Sequence, residues 1–346
     1  MIGPKLYDIL LVINKEGGFM KNNVKKLIAL AITLLVLVMS GFAKDKENEA
    51  KDGLRDKYLK GLTDFSEYTE EVIQGSNTKE KIKVVDVDGV IKADDANDFV
   101  VSELKDAKDD PLVKGVILNV NSPGGSVYAS ERIANAIKAL KKAKKPVYTV
   151  MGQMAASGGY YISAPTNRIY ASNETWTGSI GVIIQSYSLQ GLFDKYGIKE
   201  QNITTGKMKD AGSQGRDMNK EEKEYFQGLV NSAFDRFVKI VVEGRGLSEK
   251  EVRKIADGRV YDGSQALSLG LVDKIGDIDS AISDMISDNK LDDPMVIRND
   301  NVMGSLSSLF SKARDLRKSY SDLAVLEKLM KENNIGPMYL YGAYHD

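Results

Sequence analysis

Residues 113–142, VKGVILNVNSPGGSVYASERIANAIKALKK, contain the pattern that decides the fold of this chain. The first nine residues are mostly apolar and rich in β-branched side chains, as in a buried strand, and apolar residues recur at helical spacing from Val127 onward. The glycine-rich turn NSPGGS (121–126) separates the two segments. A second apolar strand, KPVYTVMG (145–152), follows the helix after a short connection. This strand–helix–strand order is typical of an α/β protein with a largely parallel sheet.

The rest of the chain continues the alternation of strands and helices. Further strands are predicted over residues 81–91, 168–173, 178–185, 199–206 and 294–300. Further helices are predicted over residues 58–73, 95–110, 189–197, 220–243, 248–255, 263–269 and 304–333. The fold class that these patterns predict is α/β.

Composition excludes several kinds of chemistry. The 346 residues contain no cysteine and one histidine, His345, which excludes disulfides, thiol catalysis and multi-histidine metal centres. A Ser-His-Asp triad could form only if the extreme C-terminus folded back. A formal net charge of −1 gives no reason to expect a nucleic-acid partner. We therefore expect no metal, no cofactor and no nucleic acid.

An apolar run near the N-terminus predicts a membrane anchor. Lys21, Lys25 and Lys26 precede the apolar residues 27–43, which would form a helix of about 25 Å, at the short end of what crosses a bilayer. The lysines favour a cytoplasmic N-terminus, with the residues after the run on the other side of the cell membrane. The alternative is a signal peptide cleaved after Ala43, where Gly41 and Ala43 form a small-x-small pattern. The length of the run favours an uncleaved, single-pass anchor.

The segments on either side of the apolar run have distinct roles. KEGGFM (15–20) corresponds to codons that resemble a ribosome-binding sequence placed just before a start codon at Met20. We therefore expect residues 1–19 to be an upstream leader and residues 20–43 to form the cytoplasmic n-region and the anchor. Residues 44–80 are expected to form a charged juxtamembrane stalk and a helix.

A candidate nucleophile follows the second apolar strand, in MAASGGYYISA (154–164). The carboxyl ends of neighbouring parallel strands meet at one edge of a sheet, so Ser157 and the glycine turn are expected to lie close together. The backbone N–H groups of Gly124 or Gly125 and of Gly158 would then form an oxyanion hole, the donors that stabilise a developing negative charge. The alternatives are a plain glycine turn and a serine that only caps the following helix.

Lysine is the remaining candidate for a general base. A lysine has an ordinary pKa of about 10.4, so it can act as a base near neutral pH only where burial keeps it neutral. Lys207 and Lys209 in TTGKMKDAGS (204–213) follow a β-rich run and lie near hydroxyl side chains. If the strand continues, both lysines lie on one face, so periodicity does not distinguish them. Both also fit a solvated loop, and Asp210 beside Lys209 favours that alternative.

Five motifs occur in order along residues 81–279: NSPGG, MAASGGYYISA, TWTGSIGVI, TGKMKDAGS and GRVYDGSQALSLGLVDKIG. Together they resemble those of the signal peptide peptidases of the SppA type, membrane-anchored serine proteases of the ClpP/crotonase-like superfamily. This resemblance implies a ClpP/crotonase-like fold with repeated β-β-α units, preceded by an N-terminal transmembrane helix. It also implies these site residues: Ser157 and Lys209 as a catalytic dyad, Ser179 as the residue that orients the lysine, and Gly124, Gly125 and Gly158 as the oxyanion hole.

Two positions depart from the family pattern. Met208 stands where an aromatic residue often precedes the lysine, and no proline follows Ser213 in GSQGR (212–216). We expect both changes to affect the substrate groove and neither to affect the dyad.

The resemblance implies a serine endopeptidase that degrades signal peptides after their release from preproteins, through an acyl-enzyme. The implied partners are peptide substrates, the lipid bilayer and further copies of the chain in a ring, for which we expect an octamer. The peptidase domain would comprise residues 81–286 and lie outside the cytoplasm. Residues 287–346 would add a strand, a helix and an aromatic tail that packs on a neighbouring subunit or occupies the substrate groove. Two alternatives are a crotonase-type acyl-CoA enzyme and a catalytically silent membrane scaffold.

Overall fold

The strand–turn–helix unit of residues 113–142 lies at the centre of the observed sheet. The computed structural model describes residues 68–301 and 338–340. Strand β3 (Val113–Ser122) is flanked by β2 (Asn77–Asp88) and β5 (Val147–Ala156), both parallel to it. The glycine turn forms a short strand, β4 (Gly124–Ser126), which leads directly into helix α2 (Val127–Lys142).

Other strands and helices extend this unit on both sides. The strands are β1 (Tyr68–Gln74), β6 (Arg168–Ala171), β7 (Trp176–Gly178), β8 (Val260–Tyr261), β9 (Lys274–Ile275), β10 (Pro294–Asn301) and β11 (Met338–Leu340). The helices are α1 (Asp95–Asp109), α3 (Gly158–Ser163), α4 (Gln190–Tyr196), α5 (Lys220–Arg245), α6 (Glu249–Ile255), α7 (Gly263–Ser268) and α8 (Ile278–Asn289). The main sheet has the order β1-β10-β2-β3-β5-β6-β9, in which β1 and β10 are antiparallel and the other neighbours are parallel. Strand β7 continues beside β5 and pairs with β8, whereas β4 pairs with β11.

Alternate residues of the central strands face two different parts of the core. Val85 and Leu118 pack with residues of α1, α2, α3 and α5, whereas Val84 and Ile117 pack with residues of α8. Because successive side chains of a strand point to opposite faces, helices cover both faces of the sheet. This explains why residues 113–121 form an almost continuous apolar run. The predicted mixed α/β fold with a largely parallel sheet is confirmed.

Three predicted elements are wrong over the described residues. Residues 68–73, expected in a helix, belong to β1, because this segment pairs with β10 from Tyr68 opposite Asn301 onward. The strand expected over 178–185 ends at Gly178, since Ser179 has a left-handed φ of 47° that breaks the extended path. Residues 199–206 are irregular, because none of the described strands pairs with them and Ile203 is fully exposed.

Several predictions fall outside the described residues. These are the leader 1–19, the anchor 20–43, the stalk up to residue 67 and the helix 304–333. In residues 68–301 and 338–340, no helix is long and apolar enough to span a membrane. The domain boundaries therefore stay predictions.

A buried ion pair joins α1 to the sheet and provides a test of the packing. Lys83 Nζ lies 2.9 Å from Glu103 Oε2, both side chains are almost wholly buried, and Asn299 Nδ2 donates a 3.1 Å hydrogen bond to Glu103 Oε1. We expect Glu103→Gln to lower the free energy of unfolding by about 3–5 kcal/mol in urea denaturation, because it leaves Lys83 charged and unpaired. The apolar double variant Lys83→Met/Glu103→Leu should show a smaller decrease in the free energy of unfolding, because it leaves no unpaired charge. Equal losses in the two variants would contradict a dominant role for the pair.

Candidate active site

Ser157 lies in a strained turn at the junction of β5 and α3. Its backbone has φ 53° and ψ −112°, a left-handed conformation that residues with a side chain rarely adopt. Its amide donates a 2.8 Å hydrogen bond to the carbonyl oxygen of Gly178, and the residue is 1% exposed. The hydroxyl makes no capping hydrogen bond to α3, so helix capping does not explain this serine. Strain of this kind is concentrated at functional sites, where the surrounding structure maintains it.

A second strained serine, Ser179, lines the same cleft as Ser157. It is buried, has φ 47°, and donates a 2.8 Å hydrogen bond from its amide to the carbonyl oxygen of Arg259. The cleft has a volume of about 370 Å³, and residues of α5 and of the loop before β8 form its other side. The structure therefore places the predicted nucleophile and the predicted orienting serine at one site.

The glycine turn and Gly158 approach each other too closely for side chains. A Cβ atom built on Gly124 would lie 2.6 Å from the Gly158 nitrogen and 2.1 Å from the Tyr339 carbonyl oxygen. Gly124 also has φ 103° and Gly125 has φ 158°, conformations that favour glycine. No side chain therefore separates the backbone of Gly124 from the Gly158 N–H beside the predicted nucleophile. The Gly124 amide itself donates a 3.1 Å hydrogen bond to Ser122 Oγ, so of the predicted oxyanion donors the N–H groups of Gly125 and Gly158 remain.

Residues 338–340 lie along the free edge of the glycine strand. Strand β11 pairs antiparallel with β4, with Tyr339 opposite Gly125 and Leu340 opposite Gly124. A Cβ atom built on Gly124 would lie within 2.6 Å of both the Tyr339 carbonyl oxygen and the Gly158 nitrogen. This carbonyl is therefore next to the candidate oxyanion hole. Residues 338–340 therefore occupy the edge of β4 to which an extended peptide could be added.

The side chain of Tyr339 fills an aromatic pocket. It is fully buried, its ring centroid lies 4.7 Å from those of Tyr161 and Phe237, and its hydroxyl donates a 3.0 Å hydrogen bond to the Ala233 carbonyl oxygen. Burial raises the pKa of Tyr161 to about 12 and also raises the pKa of Tyr339, so both phenols are neutral. The pocket can therefore hold a large apolar side chain of an extended peptide.

The structure does not bring Lys209 to Ser157 within one chain. Lys209 lies on the arm, which we define as residues 184–218, and its side chain is exposed, in contrast to the expected buried lysine. No residue of the arm lines the cleft. Lys207 ties the arm to the first turn of α5 through a 2.6 Å ion pair with Glu221, whereas Val230 of the same helix lines the cleft. Residues 222 and 230 are about 12 Å apart along the helix, which separates the attachment of the arm at the first turn from the cleft. The predicted dyad is therefore not assembled in a single copy.

Ion pairs distinguish the two candidate lysines. Lys207 is paired with Glu221, whereas Lys209 has no ion-pair or hydrogen-bond partner for its side chain among the described residues. The Asp210 carboxylate lies 3.2 Å from the Arg216 guanidinium, and it is paired with this group rather than with Lys209. Arg216 is not recognisable from the sequence as part of this cluster. The one local signal is the run NKEE (219–222), which follows it closely and forms a capping box at the start of α5.

Family models and known proteins match most of the chain. The model of peptidase family S49 matches residues 139–292, and the Clp protease model matches residues 70–175. The chain is 38% identical over 330 residues to a protein of Enterococcus faecium assigned as signal peptide peptidase SppA, covering 90% of this chain and 95% of that protein. The chain belongs to peptidase family S49.

Two further relatives extend the comparison. Protease 4 of Haemophilus influenzae is 35% identical over 324 residues, which cover 87% of this chain and 52% of that protein. A protein of Methanocaldococcus jannaschii assigned as a protease is 42% identical over 199 residues, which cover 58% of this chain and 64% of that protein. As a member of family S49, the chain is a serine peptidase. The relationship to the SppA-type peptidases that its five motifs predict is confirmed.

Alanine in place of Gly124 tests the groove. The new Cβ would occupy the space between the Gly158 nitrogen and a bound carbonyl, so we expect kcat/KM for a fluorogenic peptide to fall at least about 100-fold. Gly89→Ala is the matched control, because Gly89 also has a positive φ, 73°, but a Cβ there meets nothing within 4 Å. Equal losses in the two variants would show that backbone strain, rather than occupation of the groove, causes the effect.

A chain that ends at Gly336 tests whether residues 338–340 compete with substrate. A tail that fills the groove nine tenths of the time raises the apparent KM about tenfold, so the shortened chain should have a correspondingly lower KM. Tyr339→Ala in the full chain should lower KM in part, because it removes the side chain from its pocket. An unchanged KM in both variants would mean that substrate does not use this edge of β4.

Proposed function

We propose that this serine peptidase is a membrane-anchored endopeptidase that uses Ser157 as its nucleophile and Lys209 as its general base. The observation that carries the proposal is the position of one carbonyl group. The Tyr339 carbonyl of a strand paired with β4 lies beside the Gly124 turn and the Gly158 nitrogen, and Gly158 directly follows the strained Ser157. A substrate peptide bond at this position would face the nucleophile and the oxyanion donors together.

The mechanism uses groups of the chain itself. Neutral Lys209 accepts the proton of Ser157 Oγ as this oxygen attacks the peptide carbonyl carbon, and the N–H groups of Gly158 and Gly125 stabilise the oxyanion. The C–N bond then breaks, and the lysine gives its proton to the leaving amine. Water attacks the acyl-enzyme, with the lysine accepting a proton from the water and returning one to the serine oxygen. Ser179 lines the cleft beside the nucleophile, where it can orient the lysine.

The proposed dyad requires a second copy of the chain. Lys209 is exposed and distant from the cleft of its own copy. The arm that carries it also exposes large apolar side chains, as interfaces between proteins do. These exposed residues are Tyr187, Leu192, Tyr196, Ile198 and Ile203. We therefore propose a homo-oligomeric ring, with an octamer as the expected size, in which Lys209 of one copy approaches Ser157 of the next.

The proposed substrates are released signal peptides and other membrane-associated peptides. The groove accepts an extended strand, and the pocket formed by Tyr161 and Phe237 accepts a large apolar side chain. The apolar run 27–43 would hold the peptidase domain at the outer face of the cell membrane, close to apolar peptides left in the bilayer. The assignment of the Enterococcus relative as a signal peptide peptidase supports this substrate class.

Three single variants test the dyad. We expect Ser157→Ala and Lys209→Ala to lower kcat/KM for an apolar fluorogenic peptide by at least about 1000-fold, and Lys207→Ala to keep most of the activity. The rising limb of the wild-type pH profile should report the ionisation of the essential base. Wild-type activity in Lys209→Ala would make the dyad assignment wrong and Lys207 the next candidate. If the wild type cleaved no peptide, the silent-scaffold alternative would be favoured.

Mixed oligomers test whether two copies share the dyad. Ser157→Ala supplies an intact lysine, and Lys209→Ala supplies an intact serine. In a ring of equal, randomly mixed copies, about a quarter of the sites would combine both intact residues, so about a quarter of the wild-type activity should return. No recovery in verified mixed rings would mean that both residues of a site come from one chain.

A further inference from the structure

Arg216 connects the loop that carries Lys209 to a buried carboxylate. Its guanidinium donates hydrogen bonds of 2.5 and 2.9 Å to the two carboxylate oxygens of Glu222, whose side chain is fully buried. The same guanidinium lies 3.2 Å from Asp210 Oδ1 and 3.4 Å from the Asp210 carbonyl oxygen. One side chain therefore bridges the residue next to Lys209 and the first turn of α5.

Glu222 provides Arg216 with a fixed and charged partner. Glu222 Oε2 accepts a 2.9 Å hydrogen bond from the Asn219 amide, and the Glu222 amide donates a 3.0 Å hydrogen bond to Asn219 Oδ1, which completes a capping box. The hydrogen bond from Arg216 lowers the pKa of Glu222 to about 2. The carboxylate is therefore ionised at any pH at which the enzyme would work, and its position is set by the start of the helix.

The pairing of Asp210 affects the neighbouring lysine. A carboxylate close to an amine stabilises the ammonium form, and in that form a lysine cannot accept the proton of a serine. Asp210 directly follows Lys209 in the chain, so its carboxylate can reach the amine when Arg216 does not hold it. In the structure, Arg216 pairs with this carboxylate instead.

Two other carboxylates of this region also have partners. Glu200 accepts hydrogen bonds of 2.6 Å from Ser213 and 2.8 Å from Asn202, and Lys207 pairs with Glu221 at 2.6 Å. The hydrogen bond from Ser213 is the main reason that the pKa of Glu200 is lowered. Of these three carboxylates, Asp210 is the one adjacent to Lys209 in the chain, and Arg216 is its partner.

We propose that Arg216 is a positioning residue for Lys209, which prevents Asp210 from pairing with the lysine and holds the lysine's loop on α5. Arg216 can have this role only if Lys209 is the general base, as proposed above. The proposal assigns a function in catalysis to a charge cluster that lies outside the cleft. A purely structural role for Arg216 predicts no link between the Asp210 charge and the pH dependence of the reaction.

The pH dependence of kcat/KM in the full-length, assembled protein tests the proposal. In Arg216→Gln, the freed Asp210 can pair with Lys209, so the rising limb of the profile should move upward by about one pH unit. In Arg216→Gln/Asp210→Asn, no carboxylate is left to pair with the lysine, and the limb should return close to its wild-type position. The proposal would be overturned if Arg216→Gln lost activity equally at every pH and the added Asp210→Asn change did not restore it.

Two further variants keep the test decisive. Arg253→Gln is the matched control, because Arg253 forms a 2.7 Å ion pair with Asp235 away from the arm, and its pH profile should match that of the wild type. Arg216→Lys keeps a positive charge beside Asp210 but loses the two-point contact with Glu222. It should therefore keep the position of the limb while kcat falls, and it replaces Arg216→Gln if that variant does not assemble. An upward shift in Arg216→Lys as large as the expected one pH unit would overturn the proposal.

Mixed oligomers distinguish the proposed role of Arg216 from the proposed Ser157–Lys209 dyad. Arg216→Gln mixed with Ser157→Ala should contain sites with the wild-type pH profile, because the lysine then comes from a copy with an intact Arg216. Arg216→Gln mixed with Lys209→Ala should contain none, and wild-type-like sites in that mixture would overturn the proposal. If Lys209→Ala alone is active, the dyad fails and the role of Arg216 fails with it. If Lys209→Ala is inactive but Arg216→Gln keeps the wild-type limb, only the role of Arg216 fails.

Discussion

The close approach of Gly124 to Gly158 is the contact on which the active site depends. A Cβ on Gly124 would lie 2.6 Å from the Gly158 nitrogen, so the turns after β3 and β5 can meet only where both lack side chains. The contact also requires β3 and β5 to be adjacent and parallel, because only then do their carboxyl ends coincide. The pattern in residues 113–142 that decides the fold therefore also decides where the candidate nucleophile lies.

The two halves of the proposed dyad have opposite environments. Backbone hydrogen bonds hold Ser157 and Ser179 in buried turns, whereas Lys209 is exposed on the arm. A lysine loses its preference for the charged form when it is buried in a low-dielectric site. On the proposed mechanism, that burial occurs only when a second copy docks, so an isolated chain has a nucleophile without a base. Assembly at the membrane would then create the activity close to its substrates.

Local sequence patterns predict the sheet where both faces are buried and fail where distant pairing decides. Residues 113–121 are recognisable because helices cover both sides of β3. Residues 68–73 have helical spacing but form a strand, because β10 lies far along the chain and supplies the partner edge. Residues 199–206 have strand-forming side chains and no partner strand. The position of Ser157 beside the glycine turn follows from strand order, whereas the distance of Lys209 from it depends on how the arm folds.

The Asp210 carboxylate shows why adjacency in sequence is a poor guide to electrostatics. Beside Lys209 in the sequence, this carboxylate favours a charged, solvated lysine and counts against a general base. In the structure the carboxylate forms an ion pair with Arg216, and hydrogen bonds to the buried Glu222 hold Arg216 in place. The effect of a charge depends on the group with which it pairs, and here that group lies on the connection to α5. On our proposal, the carboxylate that would otherwise keep the lysine protonated instead helps to anchor the loop that presents it.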